Sequence, residues 1–288
     1  MMKAIWFMLI ILSLVSCTTR KAGWEKSQVA KVMSAADFKA TEQQAMELWK
    51  QRHVLESLQQ SLNLLKDLHS AKPDDIEILT YLTRGHYLMA DAHLENADEK
   101  KKIFEQAASY GEMGMALNAE FKASVAQDED VEKALKYLTL REVPIIYWTA
   151  ASLGKWAKMT GIAAALKYKT RIKAMISKVE ELQPDYFFGA VPRYWGGFFA
   201  VAPSFAGGDI NKSGDKFDTS IKMGPNYLGT RVLKAELYWT KKSNKKEFVK
   251  ELETVLAMKE DIVAELMPEN VLEKRKAKKL LAQKDELF

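Results

Sequence analysis

The chain is poor in the residues that carry most enzyme and metal chemistry. One cysteine, Cys17, stands among 288 residues. That excludes an intrachain disulfide and any cysteine-cluster metal site. The four histidines, His53, His69, His86 and His93, form no H-E-x-x-H pair. His86 and His93 are seven residues apart, about 10 Å along a helix axis and too far to share a metal. No G-x-S-x-G elbow and no Walker A loop occurs. Asn-Gly and Asp-Gly are missing, and so is sustained two-residue alternation, which argues against β-hairpins. Charge of one sign is not concentrated. Basic and acidic residues, 43 against 38, are interspersed, so the net +5 forms no stripe of the kind nucleic acid requires. The residues therefore point to a protein that is not an enzyme, with no metal, no cofactor and no nucleic-acid partner.

Long apolar runs are also lacking. The one at the amino terminus, Ala4 to Val15, spans 12 residues. As a helix it would be about 18 Å long, short of a bilayer core of ~30 Å. Lys3 precedes it and Leu14-Val15-Ser16-Cys17 closes it. This is the layout of a signal peptide, and its end resembles a bacterial lipobox, whose cysteine is diacylated and becomes the new amino terminus. Residues 1–16 are therefore expected to be a lipoprotein signal peptide and Cys17 the lipidation site. Thr18 follows where, by resemblance to Gram-negative sorting, Asp would retain the protein on the inner membrane. The outer membrane is favoured. Residues 17–39 read as a polar tether and 40–288 as a single domain.

What is present is helical periodicity. Leu55, Leu58, Leu62, Leu65 and Leu68 recur at three- and four-residue steps. A helix should open near Asp75, another at Pro144, another at Asp209 as N-cap, one over 245–259, and the last at Met267-Pro268. The fold class is all-α, with 48% hydrophobic residues supplying the core. The closes around Pro73, Ala119, Pro184 and Pro225 resemble the end of a tetratricopeptide (TPR) repeat, though their spacing is irregular. Helical hairpins stacked into a compact solenoid or bundle are expected. Trp148, Ser152 and Trp156 lie at four-residue steps on one stripe, read first as core.

One stretch is unlike the rest. Phe187 to Asp209 combines aromatics, glycines and two prolines. Pro192 suits a helix start and Pro203 a stop. Between them Tyr194, Trp195, Phe198 and Phe199 share one face, while Arg193, Gly196, Gly197 and Ala200 fall on the other. The small face should receive a neighbouring helix backbone closely. The aromatic face must be covered by core or by ligand, since each ring can bury 150–250 Å². Gly207-Gly208-Asp209 reads as a tight turn with a helix cap, or as N–H groups offered to an anion. A small-molecule site is expected from Trp148, Trp156, Arg193, Tyr194, Trp195, Phe198, Phe199, Ser204, Phe205, Gly207, Gly208 and Asp209, with Arg231 as a second cation for an acidic ligand.

Val143-Pro144, Tyr147-Trp148, Leu153-Gly154-Lys155-Trp156, Tyr194-Trp195-Gly196, Ala202-Pro203-Ser204-Phe205-Ala206-Gly207-Gly208-Asp209 and Tyr227-Leu228 carry a resemblance. They look like the T-component family of TRAP (tripartite ATP-independent periplasmic) transporters. That resemblance implies a periplasm-facing lipoprotein of TPR-like helices, held at the membrane by its lipid. It implies a homo-oligomer, with a trimer around a central opening as its favoured form. It also implies a soluble TRAP-type substrate-binding protein as partner, and apolar or amphipathic organic acids as ligands to be passed on. The alternative is a TPR adaptor of envelope assembly with no small ligand. A helical hydrolase is the third possibility, and it would need an acid/base pair that the sequence does not reveal.

Overall fold

A computed structural model describes residues 20–26, 30–128 and 130–288. The lipobox and Cys17 lie outside the described residues. The described residues are mostly helical, with no strand among them. The α-helices are α1 (Ala35–Lys50), α2 (Leu55–Ala71), α3 (Ile76–Leu88), α4 (Ala97–Met115), α5 (Ala119–Asp128), α6 (Val131–Ala134), α7 (Val143–Thr160), α8 (Ile162–Leu182), α9 (Tyr186–Val201), α10 (Ile210–Met223), α11 (Leu228–Leu233), α12 (Lys245–Ala257), α13 (Met267–Ala282) and α14 (Lys284–Leu287).

The helix starts follow local chemistry. Asp75, Asn96, Asp209 and Asn244 accept hydrogen bonds from the first free N–H groups of α3, α4, α10 and α12. Pro144 and Pro268 sit in the first turns of α7 and α13, where a missing N–H costs nothing. Two helices leave the α geometry at their ends. α3 runs on into a π turn, Met89–His93, and α11 into another, Lys234–Trp239.

Neighbours in sequence pack on one another along much of the chain: α1 on α2, α2 on α3, α3 on α4, α7 on α8, and α9 on α10 most extensively. α4 and α7 pair across the short α5 and α6. The row then closes. Leu272 of α13 joins the apolar cluster of Trp49, Leu58, Leu62 and Leu82. Glu269 of α13 accepts from Arg52 Nε and Nη2 at 2.9 and 2.6 Å and from Arg84 Nη2 at 2.8 Å. The last long helix therefore rests on the first hairpin.

Two expectations about boundaries need correction. The stretch read as a tether is docked at its start. Arg20 forms a two-pronged ion pair with Glu112, and the Gly23 N–H donates to the same carboxylate. The first long helix begins at Ala35, before residue 40. The right-handed part of the central helix runs from Ala190, so Pro192 lies in its first turn, as expected. Ahead of it, Phe187, Phe188 and Gly189 form a left-handed turn with φ of 43°, 55° and 73°.

Candidate functional site

The left-handed turn sits at the centre of the site. L-residues lose roughly 1–2 kcal/mol each in that conformation, so two successive phenylalanines must be held there. Arg193 holds them. Its Nη1 donates to Phe188 O at 3.1 Å and its Nη2 to Phe187 O at 3.3 Å. Nη1 also reaches Thr230 Oγ1 at 3.3 Å. The guanidinium lies 4.3 Å from the Tyr227 ring centre. Ser220 Oγ donates to Gly189 O at 2.8 Å and closes the turn from α10.

Arg193 is 5% exposed, and no carboxylate among the described residues pairs with it. Buried charge without an opposite charge is costly unless dipoles and rings replace water. Here two carbonyls and two aromatic faces do so. The ring of Phe187 lies between two arginines, Arg84 at 4.6 Å and Arg193 at 5.8 Å. Arg84, unlike Arg193, has Glu269. Burial alone would raise the Glu269 carboxyl, but Arg84 and Arg52 outweigh it and hold it below its usual value. Burial pushes the Tyr186 and Tyr227 hydroxyls up, so they remain neutral donors.

From this centre a row of rings leads outward. Tyr227 meets Phe187 at 5.7 Å, Phe187 meets Trp148 at 5.2 Å, Trp148 meets Tyr87 at 5.3 Å, and Tyr87 meets Phe104 at 5.6 Å. Phe104 lines a cavity of about 290 Å³, together with Asp91, Lys100, Lys155, Lys158 and Met159. Asp91 lies on the π turn that ends α3 and takes ion pairs from Lys155 of α7 and Lys276 of α13. Burial would raise its carboxyl, yet these two ammonium groups hold it well below the carboxylate range. Glu273 is raised by burial, only partly offset by Lys276. A second cavity, about 310 Å³, touches the same π turn at Met89 and includes Asn63, Lys66 and His86.

The expected site residues do not form one constellation. Trp148 and Arg193 belong to the centre, one ring apart, and Trp148 Nε1 donates to Tyr186 Oη at 3.1 Å. Tyr194, Trp195, Phe198 and Phe199 pack among themselves, with Lys173 over Trp195 and Phe198. Trp195 is buried and donates to Glu180, while the other three are half-buried against the core. Trp156 lies away from them, beside Tyr168 and under the Arg20 guanidinium. Arg231 does not join Arg193, since its Nη1 is held by Glu251 at 2.5 Å. The loop is a tight turn with a cap. The N–H groups of Gly207, Gly208 and Asp209 donate to Ser204, Pro203 and Phe199 carbonyls, and Asp209 caps α10. Those amides are thus committed to the backbone. Ser204 and Phe205 face solvent, Phe205 at 81% exposure. On the small face, Gly196 meets the Phe217 ring where a helix backbone was expected.

Sequence reasoning missed Arg84, Asp91, Glu269, Glu273 and Lys276. Apart from the Glu273–Lys276 pair, three residues apart, their partners lie 64 to 217 residues away. The available signal was the four- and three-residue spacing of Glu269, Glu273 and Lys276, which places them on one helical face.

The fold and the site define an all-helical protein with no helix, among the described residues, long and apolar enough to cross a membrane. Its central charges are paired or capped around an aromatic row. A family model described as TRAP transporter T-component matches residues 51–288, and the chain belongs to that family. It is a component of a TRAP transporter system. No curated protein matches it.

Proposed function

We propose that this T-component is a lipid-anchored, periplasm-facing relay. It docks a soluble TRAP-type substrate-binding protein and takes up a small organic acid with an apolar body. The observation that carries the ligand class is Arg193, a buried guanidinium with no carboxylate pairing it among the described residues, at the end of an aromatic row. A carboxylate is the group whose geometry and charge a guanidinium fork matches best. Aromatic rings supply the apolar contact that small-molecule sites use. The cavity beside Phe104 has three lysines and one aspartate at its rim, so an acid is attracted there first. Homo-oligomerisation and an outer-membrane location belong to the same reading.

The test is ligand capture by the purified full chain. Native mass spectrometry after gentle extraction should show an organic acid retained by the wild type and lost in Arg193→Gln. Arg84→Gln, which leaves Glu269 with Arg52, should retain it. Retention in Arg193→Gln, with the protein folded, contradicts the assignment.

A further inference from the structure

We infer that the body of the protein sits directly on the bilayer through one end, formed by the openings of α4 and α8 and the close of α7. This rests on the reading of Cys17 as the acylated residue.

Only Thr18 and Thr19 separate Cys17 from Arg20 in sequence. Three residues span at most about 11 Å even when fully extended. Arg20 is not on a leash. Its side chain is 2% exposed, its Nη atoms are 2.8 and 2.7 Å from the Glu112 carboxylate, and its guanidinium lies over Trp156. Trp24 and Lys26 continue the attachment, against Phe121 and Ser109. An acyl chain on Cys17 therefore brings the bilayer to within a few residues' length of a rigid point on the body.

Arg20 touches Glu105 and Trp156, while Trp24 touches Phe121 and Arg171. Along α4 the segment stays over one stretch, with Arg20 and Gly23 on Glu112 and Lys26 on Ser109; beside α7 and α8 it advances, from Trp156 near the close of α7 to Arg171 within α8. Traced backwards, it heads for the close of α7 and the opening of α8. α4 and α7 meet there, since Lys100 and Phe104 share a cavity with Lys158 and Met159.

That end displays apolar side chains. Ile162 is 73% exposed and Leu166 46%, one turn apart on the same face of α8. Lys158 and Lys167 are exposed within four residues of them, and Lys102, Asp98 and Glu99 are exposed on the opening turns of α4. α9 runs back alongside α8, with Phe198 under Lys173, so exposed Phe205 also lies toward that end. Apolar side chains ringed by lysines fit the interfacial layer of an anionic membrane. The opposite end of the α8–α9–α10 row carries Met223, 43% exposed, about 30 Å away by the length of α8.

The experiment uses the full chain, lipidated in its host and reconstituted into phosphatidylethanolamine–phosphatidylglycerol vesicles. With the sole native cysteine acylated, Ile162→Cys or Met223→Cys provides the one free thiol for an environment-sensitive fluorophore. Nitroxide lipids then report proximity. The expected result is several-fold stronger quenching at 162 than at 223. Inserting fifteen Gly/Ser residues between Thr19 and Arg20 should reduce it while vesicle flotation persists. Flotation with equal quenching at the two positions, or stronger quenching at 223, overturns the orientation and leaves the anchor standing. A wild-type chain with no acyl mass that fails to float overturns the anchor and this inference together.

Discussion

Gly196 offers the sharpest test of how the central helix is packed. A Cβ built there lies 2.9 Å from Cδ1 and Cγ of Phe217 and 3.0 Å from Cδ2. Those atoms are the root of a ring that is itself fully buried, so it cannot swing aside. Ser213 Oγ donates to Gly196 O at 2.8 Å and fixes the spacing of α9 and α10. Two effects oppose each other in Gly196→Ala. Helix propensity favours alanine by about 1 kcal/mol. Overpacking a well-filled contact costs about 1–3 kcal/mol. The net expectation is a loss of about 1 kcal/mol, or a Tm lower by about 2–4 °C for a chain of this size. Gly196→Leu should lose more. Thermal unfolding followed by circular dichroism measures both. In a Phe217→Leu background the ring is gone, and Gly196→Ala should become neutral or stabilising by up to about 1 kcal/mol. A Tm that rises for Gly196→Ala in the wild-type background refutes the close contact.

Two further outcomes follow from the same packing. Burial lowers the His86 imidazole from 6.5 to about 4. Its contribution to stability is complete above pH 6.5 and is lost as pH falls towards 4, by about 3 kcal/mol. Denaturant midpoints measured from pH 7 to pH 4 should fall, and the fall should be shallower in His86→Gln; equal slopes contradict the assignment. Gly189→Ala puts a side chain at φ 73° with its Cβ 2.9 Å from Ser220 O. The left-handed strain of about 1–2 kcal/mol and overpacking of about 1–3 kcal/mol should lower stability by about 2–5 kcal/mol, read from urea unfolding.

Much of the helical layout was legible because it is written locally. Asp75, Pro144, Asp209 and Pro268 mark helix starts through caps and fixed φ, and the structure uses them as such. The Trp148–Ser152–Trp156 stripe is buried, as its spacing implied. The left-handed turn was not legible. Phe187 and Phe188 have no local preference for positive φ, and what keeps them there is Arg193, Thr230 and Ser220, two of them on other helices. The polar seam was hidden for a related reason. Glu269, Glu273 and Lys276 look like the solvated face of a Lys/Arg-rich helix until α3 and α7 bring Arg84, Asp91 and Lys155 to them. The aromatic block was recognised as unusual, but its residues divide between the core, the centre and the surface turn. Periodicity assigns a face and does not say which neighbour covers it.

We propose that this T-component works by engaging a substrate-binding protein of its own TRAP system. The direct measurement is affinity capture of the full-length chain from detergent-solubilised membranes of its native host, followed by mass spectrometry of what comes with it. A TRAP-type substrate-binding protein recovered in near-stoichiometric amount, and rebinding the purified chain in calorimetry, is the expected result. Recovery of outer-membrane assembly proteins with no substrate-binding protein, and no heat on mixing with the purified binding protein, would contradict it.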